Sequence, residues 1–467
     1  MAPKFGTSGL RGLVTELTPE LTARYVQAFR AACPIGTGLF VGRDLRPSSP
    51  GIAADVIAAA RSAGVAVTDC GALPTPALAM AAMAAGAAAI MVTGSHIPAD
   101  RNGLKFYLPS GEITKSDEAA ISAAFGAAPG AAAVPGTLAT CTTAGDDYVA
   151  RYVAAYGPQA LAGLRLGVYQ HSSVARDLLV TLLAALGATT VTCARSEVFV
   201  PVDTEAVAPD TRARLARWSA AKHLDAVLST DGDADRPLLA DAQGRVIPGD
   251  SLGVLTAQAL GAEVICTPVS SNSILREIPG FRAVHLTRIG SPFVIAAMEA
   301  VRSADPRAKV VGFEANGGFL LGFEAQAPVG RLAALMTRDA VLPLIAPLAA
   351  ARAQGLALAD LCRALPPRVT AADRLVDIPS AASAAFLAEL SESATARAAF
   401  LAPLGQETEV DRTDGLRMTL AGNEVVHLRP SGNAPEFRVY VEAGTAATAQ
   451  DLLARALERV KRVIRGA

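Results

Sequence analysis

The chain has 467 residues, of which 51% are hydrophobic and 18% are charged, and its formal net charge is −1. A chain of this length is too long to fold around one hydrophobic core, so we expect three or four domains of about 100 to 200 residues each. The near-balance of acidic and basic residues gives no overall field for nucleic acid or for anionic membranes, so any anion site must be local.

Cysteine usage and the opening residues favour a cytoplasmic protein. The six cysteines are widely spaced and form no Cys-x-x-Cys pair, which suggests neither a zinc site nor a disulfide scaffold. The segment MAPKFGTSGLRG has no apolar signal core, and the alanine-rich apolar segments are broken by glycine, so we predict no transmembrane span. With 5% aromatic residues and no basic stripe, we expect no nucleic-acid partner.

Short apolar or β-branched segments alternate with alanine-rich segments through most of the chain. The first group reads GLFVGRD, GIAADVIAAARSAG, VAVTDCG, TPALAMAAMAAG and AAAIMVTGS, which predicts a β-α-β-α-β unit. Similar groups begin at LRLGVYQ and at EVICTPV. The pattern therefore predicts an α/β protein with three consecutive domains of similar size.

Composition also suggests where the domains begin and end. The proline- and glycine-rich segment 125–136 is typical of a linker. Towards the C-terminus, TEVDRTDGLRMTLAG and EVVHLRPSG resemble paired strands of a smaller α+β domain. The predicted boundaries are 1–140 for domain I, 141–248 for domain II, 249–367 for domain III and 368–467 for domain IV.

The first polar motif is KFGTSGLRG, which carries Lys4, Thr7, Ser8 and Arg11 among three glycines. It lacks the Gly-x-x-x-x-Gly-Lys spacing of a P-loop. Two interpretations stay open: the segment is a plain coil, or it brings Arg11 to a phosphate group.

The segment IMVTGSHIPADRNGLKFY, residues 90–107, passes from an apolar strand into a polar loop. Ser95 at the tip of the strand either caps the next segment or is a nucleophile held by the loop. His96 is either a proton carrier or an orienting group, because the unperturbed pKa of histidine is roughly 6.5. No Ser–His–Asp triad can be inferred from spacing.

The segment DAVLSTDGDADRPLL places Asp231, Asp233 and Asp235 at alternate positions after an apolar strand. Carboxylates this close repel one another, and a hard divalent cation removes the repulsion, so we predict a Mg²⁺ site. The alternative is a solvated turn, which Asp-Gly pairs also favour. An EF-hand fits poorly, because its sixth and twelfth positions hold Arg236 and Ala242. Arg236 instead supplies a phosphate-binding group beside the metal.

The segment GFEANGGFLLG, residues 312–322, is a glycine-rich turn after a strand. Its Glu314 and Asn316 provide a carboxylate and an amide two residues apart, which can bind adjacent sugar hydroxyls. A plain turn would contain the same glycines, so both interpretations stay open.

The last polar turn lies in RPSGNAPEFRVYVE and contains Arg429, Ser431, Gly432 and Asn433. A guanidinium, a hydroxyl, an amide and backbone N–H groups together can bind a phosphate dianion. The alternative is simple capping of the loop.

These loops, in this order, resemble those of the α-D-phosphohexomutase family, which includes phosphomannomutase, phosphoglucomutase and phosphoglucosamine mutase. Residues 93–98 match the family's Thr-Ala-Ser-His-Asn-Pro loop at four of six positions, and residues 231–236 match its Asp-Gly-Asp-Ala-Asp-Arg loop without change. The resemblance covers essentially the whole chain. It implies three α/β domains with mixed sheets and a smaller C-terminal α+β domain, arranged around a central cleft.

The resemblance also implies residue roles. Ser95 would carry phosphate, and Lys105 in the Asn-Gly-x-Lys segment would be a general acid or base, with His96 and Arg11 assisting. The implied Mg²⁺ ligands are Ser95, Asp231, Asp233 and Asp235. The segment TRIGS, residues 287–291, resembles a loop that approaches the sugar. The implied substrate-binding residues are Arg236, Gly290, Ser291, Glu314, Asn316, Arg429, Ser431, Gly432 and Asn433.

Some positions depart from the family pattern. Ile97 replaces an asparagine beside the nucleophile, which removes a hydrogen bond. Asn316 replaces a serine and Asn433 a threonine, and both still form hydrogen bonds. Gly318 stands where relatives often have histidine, which weakens an assignment of the substrate.

The resemblance implies interconversion of hexose 6-phosphate and hexose 1-phosphate through a hexose 1,6-bisphosphate, which also acts as activator. The loops are most like those of bacterial phosphomannomutases, so we expect mannose 6-phosphate and mannose 1-phosphate as substrates. Phosphoglucomutase or dual specificity is the alternative. We expect hexose phosphates as the only partners, and a monomer or a homodimer.

Two other classes of function are weighed against a mutase. A metal-dependent sugar-phosphate phosphatase could also use a serine and an aspartate cluster, but it needs no second phosphate-binding loop. A sugar-phosphate sensor needs none of the reactive residues that this sequence retains.

Overall fold

The computed structural model describes residues 3–6, 9–126, 134–430 and 436–465. The chain divides into two compact units, a larger one of Met1–Ile265 and Gly290–Cys362 and a smaller one of Cys266–Ile289 and Arg363–Ala467. Among the described residues, no helix combines the length and the apolar character needed to cross a membrane.

The N-terminal part of the larger unit is an α/β region built on a mixed sheet. Its elements are β1 (Lys4–Phe5), β2 (Leu10–Leu13), α1 (Pro19–Ala32), β3 (Leu39–Arg43), α2 (Ser49–Ser62), β4 (Val67–Ala72), α3 (Thr75–Ala84), β5 (Ala88–Val92), β6 (Arg101–Leu108), β7 (Gly111–Glu112), α4 (Lys115–Ala124) and β8 (Leu138–Thr140). The described strands follow the order β1-β2-β6-β5-β3-β4-β8, and β7 pairs with β6. Strand β3 is parallel to β4 and β5, so the predicted β-α-β-α-β unit is confirmed.

The burial of strand β5 explains why its sequence is entirely apolar. All five of its residues are buried, as expected for a strand covered by helices on both faces. Its C-terminal neighbour β6 is antiparallel to it, with Met91 opposite Lys105. The sheet therefore presents the β5–β6 loop and Lys105 close to each other.

The second α/β region has a smaller mixed sheet. Its elements are α5 (Ala144–Tyr156), β9 (Arg165–His171), α6 (Arg176–Ala185), β10 (Thr189–Arg195), α7 (Pro209–Lys222), β11 (Ala226–Thr230) and β12 (Pro237–Asp241). The strand order is β10-β9-β11-β12, in which β9 is parallel to both neighbours and β12 is antiparallel to β11. The aspartate loop is the connection between β11 and β12.

The third region contains more short strands. Its elements are α8 (Gly249–Ala259), β13 (Val264–Pro268), a 3₁₀ helix (Ser273–Arg276), β14 (Ala283–Thr287), α9 (Ser291–Ala304), β15 (Val310–Phe313), β16 (Phe319–Leu321), β17 (Ala325–Gln326), β18 (Arg331–Leu332), β19 (Leu335–Asp339), α10 (Val341–Ala353) and α11 (Leu358–Arg363). In the larger unit, β16 is antiparallel to both β15 and β19. The predicted α/β fold with three consecutive domains is confirmed; the exact boundaries stay a prediction.

The C-terminal part of the smaller unit has α+β character. Its elements are β20 (Val369–Val376), α12 (Ser380–Glu392), α13 (Ala394–Leu401), β21 (Glu407–Asp411), β22 (Leu416–Leu420), β23 (Val425–Pro430), β24 (Glu436–Ala443) and α14 (Ala446–Arg465). The antiparallel sheet follows the order β20-β24-β23-β22-β21. The strands predicted in TEVDRTDGLRMTLAG and EVVHLRPSG therefore pair as expected.

Candidate active site

The loop between β5 and β6 presents Ser95 beside the aspartate loop. Ser95 is 1% exposed, and its φ of 54° lies in the left-handed region that non-glycine residues rarely occupy. Its N–H donates to Thr93 Oγ1 at 2.8 Å, and its hydroxyl donates to Asp231 Oδ2 at 2.5 Å. The unusual backbone conformation therefore accompanies a hydroxyl directed at a carboxylate of another region.

The Ser95 loop is held by an arginine that sequence reasoning missed. Arg46 is 1% exposed and follows β3. Its Nη1 donates to the carbonyls of Pro98 and Arg101 at 2.7 and 3.0 Å, and its Nη2 donates to those of Ser95 and Ile97 at 2.9 and 2.6 Å. One guanidinium thus binds three carbonyls of the loop and that of Arg101, the first residue of β6. The loop carbonyls include that of Ile97, where the family pattern has asparagine.

The three aspartates are fully buried and share their partners. Lys105 Nζ donates to Asp233 Oδ2 at 2.6 Å and to Asp235 Oδ2 at 2.5 Å. The Thr75 hydroxyl donates to Asp233 Oδ2 at 2.5 Å. Together with the contact from Ser95 to Asp231, these bonds bring segments of the first two α/β regions to one point.

The charges in this cluster shift the pKa values of the aspartates in opposite directions. Burial and the neighbouring carboxylates of Asp233 and Asp235 raise the pKa of Asp231 well above its ordinary value. Burial would also raise the pKa of Asp235, but the charges of Arg338 and Lys105 hold that pKa below its ordinary range. The cluster therefore contains repulsion that a further cation would relieve.

The donor set fits a divalent metal ion. One carboxylate oxygen from each of Asp231, Asp233 and Asp235 lies within 4.8 Å of the others. The Oδ1 atoms of Asp233 and Asp235 are buried and accept no hydrogen bond from the described residues. Buried carboxylate oxygens without donors are suited to a hard cation with oxygen ligands.

His96 lies next to Ser95 and contacts an arginine. Arg236 Nη1 donates to His96 Nδ1 at 2.8 Å, and Ser95 Oγ lies 3.3 Å from the same nitrogen. Burial and the charge of Arg236 lower the pKa of His96 to about 3. The ring is therefore neutral at ordinary pH. Because Nδ1 accepts from Arg236 and the Ser95 hydroxyl donates to Asp231, these contacts favour orientation over proton transfer.

Arg11 adds a third cation to this side of the cluster. It lies on β2, opposite Gly103 of β6. Burial and the charges of Arg236 and Arg338 lower the pKa of Arg11 to about 10, so the guanidinium stays charged at neutral pH. The charges of Arg236 and Arg338 that act on Arg11 are positive, so three guanidinium groups together form an environment suited to a phosphate dianion.

The predicted sugar turn between β15 and β16 is buried and internally bonded. Glu314 is 4% exposed, and its Oε2 lies 3.5 Å from Arg338 Nη1. Asn316 Oδ1 accepts a hydrogen bond from the Gly318 N–H at 3.0 Å, and the Asn316 carbonyl accepts one from the Thr204 hydroxyl at 2.9 Å. The turn is therefore preorganised, and its link to the metal loop is Arg338.

Arg338 on β19 is the second arginine that sequence reasoning missed. Its Nη2 lies 2.9 Å from Asp235 Oδ2, and the side chain is 2% exposed. The sequence signal was the polar pair Arg338–Asp339 within the apolar context LMTRDAVLP. Charged residues at the end of a buried strand are rarely buried without a partner.

The predicted sugar-approaching residues have other hydrogen-bond partners. Ser291 is fully buried, and its hydroxyl donates to Glu112 Oε2 at 2.8 Å. Gly290 has a φ of 130° and precedes α9. Glu112 also accepts hydrogen bonds from the Thr337 hydroxyl at 2.9 Å and from the Arg338 N–H at 3.3 Å. The Ser291 hydroxyl thus joins β7 to α9, and a role in substrate binding stays a prediction.

The predicted distal phosphate loop belongs to the smaller unit. Arg429 lies near the end of β23, and its Nε donates to Asp414 Oδ1 at 2.9 Å. Asp414 Oδ2 accepts from the Ile289 N–H at 2.9 Å. The other residues predicted for this loop, Ser431, Gly432 and Asn433, lie outside the described residues.

The sequence matches three successive family descriptions. They are phosphoglucomutase/phosphomannomutase alpha/beta/alpha domain I over residues 2–129, domain II over residues 146–244 and domain III over residues 248–369. Together these matches cover well over half of the chain.

Individual proteins also match along nearly their whole length. A phosphomannomutase from Sinorhizobium fredii is 46% identical over 471 residues, covering 98% of each chain. A phosphomannomutase from Salmonella muenchen is 43% identical over 467 residues, covering 98% of this chain and 95% of the relative. The solved structure of a phosphoglucomutase/phosphomannomutase family protein from Burkholderia thailandensis has a TM-score of 0.77 at 23% identity, covering 98% of this chain and 97% of that one. The last likeness concerns the fold alone.

Proposed function

Because this chain belongs to the phosphoglucomutase/phosphomannomutase family of α-D-phosphohexomutases, we propose that it interconverts mannose 6-phosphate and mannose 1-phosphate. The chain is an isomerase of the phosphohexomutase type. The preference for mannose is supported by the two phosphomannomutases that are 46% and 43% identical over nearly the full chain. Neither relative supports the phosphatase alternative.

The observation that carries the proposal is the position of the Ser95 hydroxyl. It lies 2.5 Å from Asp231 Oδ2, beside two further aspartates and the ammonium group of Lys105. A serine that carries a phosphoryl group at this point would have both metal ligands and a proton-transfer group within reach.

The proposed metal is Mg²⁺, held by one oxygen from each of Asp231, Asp233 and Asp235 and by an oxygen of phosphorylated Ser95. When bound, it would neutralise charge on the transferring phosphoryl group. Lys105, as general acid or base, holds the proton that moves between the sugar hydroxyl and Ser95 Oγ.

The transfer is balanced in both directions. The C1 hydroxyl of mannose 6-phosphate attacks the phosphorus on Ser95, the Oγ–P bond breaks and mannose 1,6-bisphosphate forms. The hydroxyl loses its proton and Ser95 Oγ gains one. In the second transfer the Ser95 hydroxyl attacks the 6-phosphoryl group and loses its proton. The bond between phosphorus and the C6 oxygen breaks, that oxygen gains a proton, and mannose 1-phosphate is released.

The remaining residues bind and orient. Arg11 and Arg236 supply positive charge for the phosphoryl oxygens, and His96 orients Arg236 beside Ser95. Glu314 and Asn316 are proposed to contact ring hydroxyls in both orientations of the sugar. The second phosphate group is assigned to Arg429 with Ser431, Gly432 and Asn433, as the family resemblance implies.

We place the enzyme in the cytoplasm. This placement is supported by the six cysteines, all of which are free thiols, as expected in a reducing compartment. A monomer and a homodimer are both compatible with the proposal.

The test is mutase activity on mannose 1-phosphate, glucose 1-phosphate and glucosamine 1-phosphate in parallel, with Mg²⁺ and a hexose 1,6-bisphosphate. We expect the highest kcat/KM for mannose 1-phosphate. Equal values for glucose 1-phosphate would replace the proposal with dual specificity. Release of inorganic phosphate at the rate of sugar-phosphate loss would contradict a mutase.

A further inference from the structure

Arg338 contacts all three regions of the larger unit. Its Nη2 lies 2.9 Å from Asp235 Oδ2 of the metal loop, and its Nη1 lies 3.5 Å from Glu314 Oε2 of the sugar loop. Its Nε lies 3.9 Å from Glu112 Oε1, at the end of the β7 hairpin. A planar guanidinium has donors in a fixed fork, so one side chain can hold two carboxylates in a fixed relation.

The backbone on either side of Arg338 is fixed independently. The following residue, Asp339, accepts hydrogen bonds from the hydroxyls of Tyr148 and Tyr152, both on α5. Glu112 accepts from the Arg338 N–H at 3.3 Å. The position of the guanidinium is therefore set by α5 and β7 as well as by its own strand.

The absence of a side chain at Gly318 makes room for this arginine. A Cβ atom at Gly318 would lie 3.0 Å from both Cγ and Cδ of Arg338 and 3.1 Å from the Asp235 carbonyl oxygen. These distances are shorter than ordinary carbon contacts. The arginine stem thus crosses the sugar turn where the turn has no side chain.

We propose that Arg338 is a positioning residue that couples the metal loop to the sugar loop, by holding Asp235 and Glu314 in one geometry. The identity of the sugar ligand rests on the proposed function. The coupling itself rests on the contacts of Arg338 with the two carboxylates.

The proposal predicts effects of opposite sign on the two ligands. Arg338 competes with a metal ion for the negative charge of Asp235, so removing its charge strengthens metal binding. Removing the Arg338 charge also releases Glu314 from its ion pair, so the Glu314 carboxylate is no longer held in one orientation. A sugar that hydrogen-bonds to this carboxylate therefore binds less tightly. A residue that only supports the fold would weaken both.

The experiment uses the full-length protein with Arg338→Met and Arg338→Lys, and Arg397→Met as a matched control. Arg397 is also a buried arginine with two bonds to one carboxylate, that of Glu407, at 2.8 and 3.2 Å in the smaller unit. The readouts are the Kd for Mn²⁺ by electron paramagnetic resonance, the Kd for mannose 1-phosphate by calorimetry, and KM and kcat.

For Arg338→Met we expect Mn²⁺ to bind about 3- to 10-fold more tightly and mannose 1-phosphate at least about 10-fold more weakly. Arg338→Lys keeps the charge but lacks the fork, so the Mn²⁺ Kd stays within about twofold while the mannose 1-phosphate Kd still rises. We expect Arg397→Met to leave both dissociation constants unchanged.

Gly318→Ala tests the same geometry without removing the charge. The added methyl group displaces the arginine stem, so we expect a weaker mannose 1-phosphate affinity and a Mn²⁺ Kd close to that of the wild type. This variant keeps the proposal testable if Arg338→Met does not fold.

Three outcomes decide the matter. Opposite shifts of the two dissociation constants in Arg338→Met support the coupling. Unchanged constants, or weakening of both ligands in proportion to a fall in Tm, overturn it. If the wild type isomerises no hexose phosphate, the proposed function fails, whereas the Mn²⁺ Kd of Arg338→Met and Arg338→Lys still tests the contact between Arg338 and Asp235.

Discussion

At the scale of single residues, the site depends on Ser95 having one conformation. Its left-handed φ of 54° costs free energy, on the order of 1 kcal/mol or more for a non-glycine residue. The loss is offset by the bond from its N–H to Thr93 and by the bond from its hydroxyl to Asp231. Asp44 Oδ2 in turn accepts the Thr93 hydroxyl at 2.7 Å. The nucleophile is therefore oriented by a chain of buried hydrogen bonds.

Ser95→Ala tests the role of the hydroxyl. We predict a fall in kcat of at least about 1000-fold, because no other group at this position can carry the phosphoryl group. The measurement is a coupled mutase assay, with the far-ultraviolet spectrum and the Tm as checks of folding.

The matched control for Ser95→Ala is Ser383→Ala. Ser383 is also 1% exposed, and its hydroxyl has no hydrogen-bond partner among the described residues. We expect this variant to keep full activity. A Ser95→Ala enzyme with near-normal activity would exclude a phosphoserine mechanism.

At the scale of elements, the conformation of the β5–β6 loop is held by hydrogen bonds from the Arg46 guanidinium. Arg46 donates hydrogen bonds to three carbonyls of the loop and to the first carbonyl of β6, and a Cβ atom at Gly94 would lie 2.7 Å from the Arg46 guanidinium carbon. Arg46→Lys keeps the charge but cannot reach four carbonyls at once. We predict a loss of about 2 to 4 kcal/mol in the free energy of unfolding and a lower kcat. Urea unfolding and the mutase assay measure these effects. An unchanged kcat would show that the hydrogen bonds from Arg46 are not needed for catalysis.

Helix α5 is a second element whose effect reaches the site. Its Tyr148 and Tyr152 donate to the buried Asp339, and burial raises the pKa values of both tyrosines well above the ordinary value. Tyr148→Phe leaves one carboxylate oxygen with fewer donors, so we predict destabilisation by about 1 to 3 kcal/mol. Tyr169→Phe, at a buried tyrosine of β9, is the comparison. Equal stability of the two variants would contradict the importance of the Asp339 contact.

At the scale of the whole molecule, buried histidines make stability depend on pH. Burial lowers the pKa of His427 to about 4 and that of His171 to about 4. An unfolded histidine takes up its proton near pH 6.5, so below that pH the unfolded chain binds more protons than the folded chain. The part of the stability that requires these two histidines to be neutral is therefore fully present above about pH 6.5 and is lost as the pH falls towards 4.

His427→Gln tests this dependence. His427 Nε2 donates to the Asp414 carbonyl at 2.7 Å, a bond that a glutamine amide can replace. The shift of His427 corresponds to a loss of up to about 3 kcal/mol in the free energy of unfolding as the pH falls from neutral to below about 4, so we predict that Tm falls less steeply with acidification in the variant. Thermal unfolding between about pH 7 and pH 4.5 measures this slope. Identical slopes would show that His427 contributes nothing to acid sensitivity.

The parts of the site that could be predicted from sequence are contiguous motifs after strands. The aspartate loop and the Ser95 loop each carry their chemistry within a few residues, and strand ends in α/β folds are where such loops gather. The three α/β regions were likewise evident from the alternation of strand-like and helical segments.

The parts that could not be predicted depend on contacts between distant segments. Arg46 acts on carbonyls about 50 positions further along the chain, and Arg338 meets Asp235 across a hundred positions, so neither pairing leaves a local pattern. For His96 the sequence left two roles open, and the contact with Arg236 favours one of them.

Mass spectrometry can follow one phosphoryl group on and off Ser95. The enzyme is incubated with mannose 1,6-bisphosphate, freed of ligand and analysed by intact-mass and peptide mass spectrometry before and after a single addition of mannose 6-phosphate with Mg²⁺. We predict one phosphoryl group on Ser95 that is transferred to mannose 6-phosphate as mannose 1,6-bisphosphate. Loss of the group to water as inorganic phosphate, or its absence from Ser95, would contradict the account.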